Sequence, residues 1–212
     1  MPNGRKWAQQ SIVRIARHNT LLSRVIDFGG AKRARRLLPL LERWLPRCGR
    51  VLDIGTGTGH LTAALEAPAR RLICCDVADL SLVGKLDCLA DGACLPFRAA
   101  LFDAVLLVTV LHHIPAANQA GVLREAFRVL RPQGRLIVME DTFHNSFERH
   151  AVAIFDSLFS AEFVGHPHSN RTLDQWAGLL AATGFRLLEG NERVYWYGIV
   201  PIRHSLLIAE RP

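Results

Sequence analysis

The stretch Val51–His60, VLDIGTGTGH, decides the fold of this 212-residue chain. A short apolar run that contains Asp53 leads directly into Gly55, Gly57 and Gly59. Glycine permits backbone conformations with positive φ and lets a ligand approach the main chain closely. The pattern therefore predicts a strand that turns through a glycine-rich bend into a helix, with a ligand site at the bend.

The spacing of these glycines excludes two common phosphate-binding loops. A dinucleotide fingerprint reads G-x-G-x-x-G, whereas this bend reads G-x-G-x-G, and the G-K-[ST] ending of a P-loop is missing. Asp53 precedes the first glycine, where a carboxylate would repel a pyrophosphate. The bend is better suited to a ligand that carries a positive centre.

From residue 50 onward, strand-like and helix-like segments alternate. The strands RVLDIG, RRLICCDV, LFDAVLLVTV and GRLIVMED are apolar on both faces, which predicts a parallel sheet between two layers of helices. The last two strands, FRLLEGNERVYWYG and RHSLLIAE, are separated by a short turn at Pro201. So short a connection requires the two to pair antiparallel.

Residues 1–49 are predicted to form a basic helical cap, and residues 50–212 the α/β domain. The apolar spacing favours one helix over residues 8–28, a break at DFGGAK, and a second helix with arginines opposite its leucines. Residues 1–50 contain 12 basic and 2 acidic residues, whereas the remainder contains 14 and 17. We expect the cap to cover part of the ligand cleft with its apolar faces.

Composition favours a soluble globular protein, with 50% hydrophobic and 21% charged residues. No apolar run approaches the ~20 residues of a membrane-spanning helix. The N-terminus has no apolar signal core, and the five cysteines include no C-x-x-C pair. These features predict a cytoplasmic protein without disulfides.

Five blocks in order resemble the class I S-adenosylmethionine-dependent methyltransferases: VLDIGTGTGHLTAAL, CCDVAD, DGACLPF, FDAVLLVTVLHHIP and VLRPQGRLIVMED. The likeness is to their small-molecule, type 11-like branch, with Gln133 in place of a usual glycine. It implies a Rossmann-like, doubly wound, seven-stranded sheet that is mostly parallel, with an antiparallel C-terminal strand. It also implies S-adenosyl-L-methionine as cofactor and S-adenosyl-L-homocysteine as product.

By resemblance, six residues surround the methionine portion of this cofactor: Asp53, Gly55, Thr56, Gly57, Val108 and Thr109. Asp53 would lie near the ammonium and sulfonium groups. Asp76 would accept hydrogen bonds from both ribose hydroxyls, and Val77 would pack on the adenine. Asp91, Gly92 and Ala93 would bind the edge of the adenine ring.

The acceptor would approach from the loops after the fourth and fifth strands. A neutral imidazole is a natural base near pH 7, so His113 is the first catalytic candidate and His112 the second. Six further residues are expected to contact the acceptor: Glu140, His144, His166, His168, Tyr195 and Arg203. No metal is expected, because metal-dependent relatives of this fold place an aspartate at the end of the fourth strand.

Three functions remain open at this point. The first is methylation of a small molecule, anionic or apolar, on an oxygen, nitrogen or carbon atom. The second is methylation of tRNA or rRNA with the help of the basic N-terminus, although the Asx-Pro-Pro-aromatic motif of base N-methyltransferases is missing. The third is cofactor binding without catalysis. The arginine cluster fits a solvated helix face, an anionic acceptor or a peripheral contact with a membrane surface.

Overall fold

A computed structural model describes residues 20–150, 169–197 and 200–212 of the chain. The strands are β1 (Gly49–Ile54), β2 (Arg70–Asp76), β3 (Cys88–Leu89), β4 (Phe102–Val108), β5 (Leu130–Thr142), β6 (Arg186–Tyr197) and β7 (Val200–Glu210). The helices are α1 (Thr20–Glu42), α2 (His60–Leu65), α3 (Ala116–Val129) and α4 (Leu173–Ala182), with a 3-10 turn at Leu111–His113.

The strands form one seven-stranded sheet in the order β3-β2-β1-β4-β5-β7-β6. Strands β1 to β6 run in one direction, and β7 runs antiparallel to both of its neighbours, β5 and β6. The predicted sheet is therefore confirmed, including its antiparallel C-terminal strand. The strand order reverses between β1 and β4, so the predicted ligand site at the end of β1 lies at the switch point where such sheets bind ligands.

Hydrophobic clusters cover both faces of the sheet, which explains why its central strands are apolar throughout. In β4, Leu106 contributes to the cluster beneath α1 and α2, and Leu107 to the cluster beneath α3 and α4. Both side chains are fully buried. Strand β3 was not predicted, because two residues are too few to show a period.

Helix α1 is continuous, so the predicted break at DFGGAK is wrong. A glycine inside a helix costs only about 1 kcal/mol relative to alanine, and tertiary contacts offset this cost. A Cβ atom on Gly30 would lie 2.7 Å from Nδ1 of His60, so glycine lets α1 approach α2 closely. His60 Nε2 also lies 2.6 Å from the Asp27 carboxylate, which pins the same part of α1.

The C-terminal end of α1 is held by Arg70 of β2, whose side chain is 2% exposed. Its guanidinium donates to both carboxylate oxygens of Glu42, at 2.9 and 2.8 Å. It also donates to the Leu65 carbonyl at 3.0 Å. One buried side chain thus ties α1 to the end of α2 and to the sheet.

Within the described residues, no helix is long and apolar enough to cross a membrane. The same residues contain no group of three or more His, Cys, Asp or Glu side chains placed to hold a metal ion.

Replacing Arg70 by methionine should destabilise the protein by about 2 kcal/mol, because the Leu65 carbonyl and the Glu42 carboxylate lose charged hydrogen-bond donors. For a chain of this size, this loss lowers Tm by about 4–8 °C. The matched control is Arg71→Met at the neighbouring, exposed position. Scanning calorimetry that shows equal Tm changes for the two variants would contradict the proposed role of Arg70.

Candidate functional site

The bend after β1 requires its glycines. Gly55, Gly57 and Gly59 all have positive φ, at 75°, 54° and 81°. At Gly55 a Cβ atom would lie 2.5 Å from a methyl group of Val110. The Gly57 N–H donates to the Asp76 carboxylate at 3.0 Å, so the bend passes directly over the end of β2.

Two carboxylates, Asp53 and Asp76, are buried at the ends of the neighbouring strands β1 and β2, with exposures of 3% and 5%. Asp53 accepts a hydrogen bond from the Thr62 hydroxyl, which lies 2.7 Å from the Thr56 hydroxyl. Burial raises the pKa of Asp53, the hydroxyls oppose this shift, and the charge of Asp76 adds to it. Burial likewise raises the pKa of Asp76, with the Gly57 N–H opposing.

This pair indicates which ligand the bend suits. Burying a carboxylate disfavours its ionised form, and a nearby cation or hydrogen-bond donor restores it. A phosphate placed here would add a third negative charge to a poorly solvated space. The site therefore fits a ligand with a positive centre and hydroxyl donors.

Beyond β2, the structure places Val77 and the segment Asp91–Ala93 beside the bend. Val77 is 49% exposed, which leaves an apolar surface open next to Asp76. Gly92 lies against Ile54 of β1, since a Cβ atom there would be 3.2 Å from its methyl group. The Ala93 N–H donates to the Asp91 carboxylate at 2.9 Å, so the two groups expected to bind an adenine edge bind each other in this structure.

Helix α1 covers the cleft at the bend. The lining comprises Asp53, Gly55, Thr56, Gly57, Thr58, His60, Leu61, Val108 and Thr109 below and Gly30, Arg33, Ala34 and Leu37 of α1 above. Thr109 has a φ of 55°, and its hydroxyl accepts a hydrogen bond from Arg33 Nη2 at 2.5 Å.

Arg33 was not predicted to line the cleft, because it belongs to the arginines expected opposite the apolar face of the helix. Its spacing of three from Gly30 and four from Leu37 places these residues on one helix face. That spacing was the available signal.

On the acceptor side, His112 and Glu140 form a buried pair. Their exposures are 1% and 0%, and His112 Nδ1 lies 2.5 Å from Glu140 Oε2. The other Glu140 oxygen accepts from the N–H groups of Val110 and Leu111, at 3.0 and 2.7 Å. This geometry holds the backbone after β4, and it does not support contact of either side chain with an acceptor. The half-buried His113 ring lies 4.0 Å from the His112 ring, centroid to centroid.

Two more predicted acceptor residues, His144 and Arg203, come together through Glu148. The Glu148 carboxylate accepts from the Arg203 guanidinium at 3.1 and 3.2 Å and from the His144 N–H at 2.8 Å. The hydrogen bond from Arg203 lowers the pKa of Glu148. His144 Nε2 lies 2.5 Å from the Glu192 carboxylate. These contacts make a polar surface beyond the end of β5.

His166 and His168 lie outside the described residues. Tyr195 belongs to β6, where it pairs with Ile202 of β7, and its side chain also lies outside the described part. Their expected contacts with the acceptor stay predictions.

Comparison with known proteins identifies similar sequences. A family model described as a methyltransferase domain matches residues 52–138. The demethylmenaquinone methyltransferase of Thermotoga maritima is 30% identical over 209 residues, covering 86% of this chain and 90% of that protein. The demethylmenaquinone methyltransferase of Thermus thermophilus is 34% identical over 142 residues, where the match spans 59% of this chain and 62% of that protein.

A solved structure supports the fold. The 1,6-didemethyltoxoflavin-N1-methyltransferase of Burkholderia thailandensis, with bound 1,6-didemethyltoxoflavin and S-adenosylhomocysteine, superposes with a TM-score of 0.64. Its sequence is 19% identical, and the match covers 84% of this chain and 77% of that one.

Replacing Asp76 by asparagine should raise the Tm of the ligand-free protein at pH 7. Because the pKa of Asp76 is raised in the folded state, the unfolded chain loses this proton first, and stability falls as pH rises above about 4. Asparagine still accepts from Gly57 but cannot ionise, so the gain should shrink towards pH 4. Asp91→Asn, at an exposed carboxylate that also accepts a backbone N–H, should show no such gain. A Tm of Asp76→Asn below wild type at both pH values would contradict the buried-charge assignment.

Proposed function

The chain belongs to the class I S-adenosylmethionine-dependent methyltransferases that act on small molecules, and from that premise we propose that it methylates a ring carbon of a lipophilic hydroquinone. The observation that carries the cofactor part of this proposal is the burial of the Asp53 and Asp76 carboxylates beside the glycine bend. The choice of acceptor is supported by the Thermotoga maritima relative, whose name specifies demethylmenaquinone and whose match covers most of both chains.

When bound, S-adenosylmethionine supplies a methyl group already activated on a sulfonium. We assign Asp53 to the positive centres of its methionine portion and Asp76 to the ribose hydroxyls. Val77 and Asp91 would contact the adenine, with the Asp91 carboxylate exchanging the Ala93 N–H for a ligand donor. These roles use the groups whose burial and pairing were described above.

A hydroquinone ring carbon becomes a good nucleophile when the adjacent hydroxyl loses its proton, so the acceptor side needs a base. We assign that role to His113, which lies in the 3-10 turn that follows β4. Glu140 and His112 are positioning residues in this proposal, since they fix the turn through backbone N–H groups and ring packing.

We propose that Arg33 binds the carboxylate of the cofactor's methionine portion. Its guanidinium reaches Thr109 inside the cleft, across from Asp53. The amino-acid portion of the cofactor carries an ammonium group and a carboxylate. Asp53 supplies a negative charge for the ammonium, and Arg33 supplies a positive charge for the carboxylate. Because Arg33 is part of α1, this contact would also make α1 a lid over the cleft.

Replacing Arg33 by methionine should weaken binding of S-adenosylhomocysteine by about 10- to 100-fold, the loss expected for one charged hydrogen bond. Binding of 5′-methylthioadenosine, which lacks the amino-acid portion, should not change. Isothermal titration of both nucleosides measures this, with Arg36→Met at an exposed position of α1 as the control. Equal losses for the two nucleosides would contradict the assignment of Arg33.

Purified protein should transfer a methyl group to a ring carbon of a prenylated 1,4-naphthohydroquinone, as read by mass spectrometry. His113→Gln should lower kcat by about 10²- to 10⁴-fold without changing the affinity for S-adenosylhomocysteine. The control is His150→Gln, whose ring contacts a backbone carbonyl in an exposed segment. Methylation of tRNA in place of the hydroquinone would overturn the proposed acceptor, and full activity of His113→Gln would overturn the base.

A further inference from the structure

The outward face of α1 combines positive charge with an exposed aromatic ring. An α-helix advances by about 100° per residue, so six residues of α1 fall within an arc of about 120°: Arg24, Phe28, Lys32, Arg35, Arg36 and Pro39. All six are exposed, and Phe28 is 65% exposed. We refer to these residues as the basic face of α1.

The rest of α1 fixes the direction of this face. Ala34, Leu37 and Leu41 are buried on the opposite side, in or beside the core beneath the helix. The two acidic residues of α1 do not neutralise the basic face, because Asp27 pairs with His60 and Glu42 with Arg70. The basic face therefore points away from the body of the protein and keeps its charge.

We propose that the basic face of α1 docks the enzyme on an anionic lipid bilayer. Lysine and arginine side chains near such a surface are attracted by its headgroups, and aromatic rings between them insert at the boundary with the acyl chains. Phe28 lies within the basic arc. An exposed aromatic ring at this position would contribute to insertion into a bilayer, whereas binding to the phosphate backbone of a nucleic acid would not require it.

The inner side of the same helix favours a bilayer over a nucleic acid. Gly30 and Arg33 line the cleft, so a bilayer on the outer side would bring the cleft close to lipid. A lipophilic acceptor held in that bilayer would then lie one helix diameter, ~10–12 Å, from the cleft. The access of a lipophilic acceptor rests on the proposed function, whereas the docking surface rests only on the charge of α1 and its exposed ring.

The test is co-sedimentation of the full chain with phosphatidylcholine vesicles, with and without phosphatidylglycerol. Wild type should bind only the anionic vesicles and should be released by salt. Lys32→Gln with Arg36→Gln should weaken binding about 25-fold, at about five-fold per residue, and Phe28→Ser should weaken it further. The matched control is Arg98→Gln with Arg124→Gln, which removes two exposed charges away from α1 and should leave binding unchanged.

Three results would overturn the docking proposal. These are equal binding to neutral vesicles, equal loss in the control pair, and binding of RNA by the basic face without binding of vesicles. Titration with S-adenosylhomocysteine is run on every variant, and affinity should be unchanged because none of these residues lines the cleft. Failure of wild type to bind this nucleoside would refute the proposed function instead, so the two failures are distinguishable.

Discussion

The burial of two carboxylates at the ends of adjacent parallel strands is the constraint on which the site depends. Asp53 and Asp76 are nearly inaccessible to water, and each is held by donors from the segment that follows β1. A fold that ionises both groups without a bound cation loses stability. The two buried carboxylates therefore lower the stability of the ligand-free fold and at the same time provide a site for a positively charged ligand. This combination is typical of binding sites that are preformed for a charged ligand.

Helix α1 joins this receptor to the rest of the molecule. Its first half contacts α2 through Gly30 and Asp27, and its end is fixed to β2 through Glu42. Arg33 lies between these two anchors and reaches into the cleft. A single helix thus contributes to the hydrophobic core, lines the cleft at the bend and presents a basic surface outward.

Much of the fold was predictable because its cause is local. Strands that are apolar on both faces require cover on both faces, and three alternating glycines before a helix permit the positive φ values found at the bend. The continuity of α1 was not predictable from propensity, because the contact that offsets the cost of Gly30 comes from His60, thirty positions later. The sequence ranked His113 above His112 as the catalytic candidate, but it could not show which partner holds His112. Only the tertiary structure shows that Glu140 binds His112 and draws it into the interior.

The most direct test of the central claim is a crystal structure of the protein grown with S-adenosylhomocysteine. The ribose hydroxyls should lie within hydrogen-bond distance of Asp76, and the amino-acid portion should lie between Asp53 and Arg33. A nucleoside bound elsewhere would contradict the claim, as would a cleft that rejects this ligand and instead accepts one carrying a pyrophosphate.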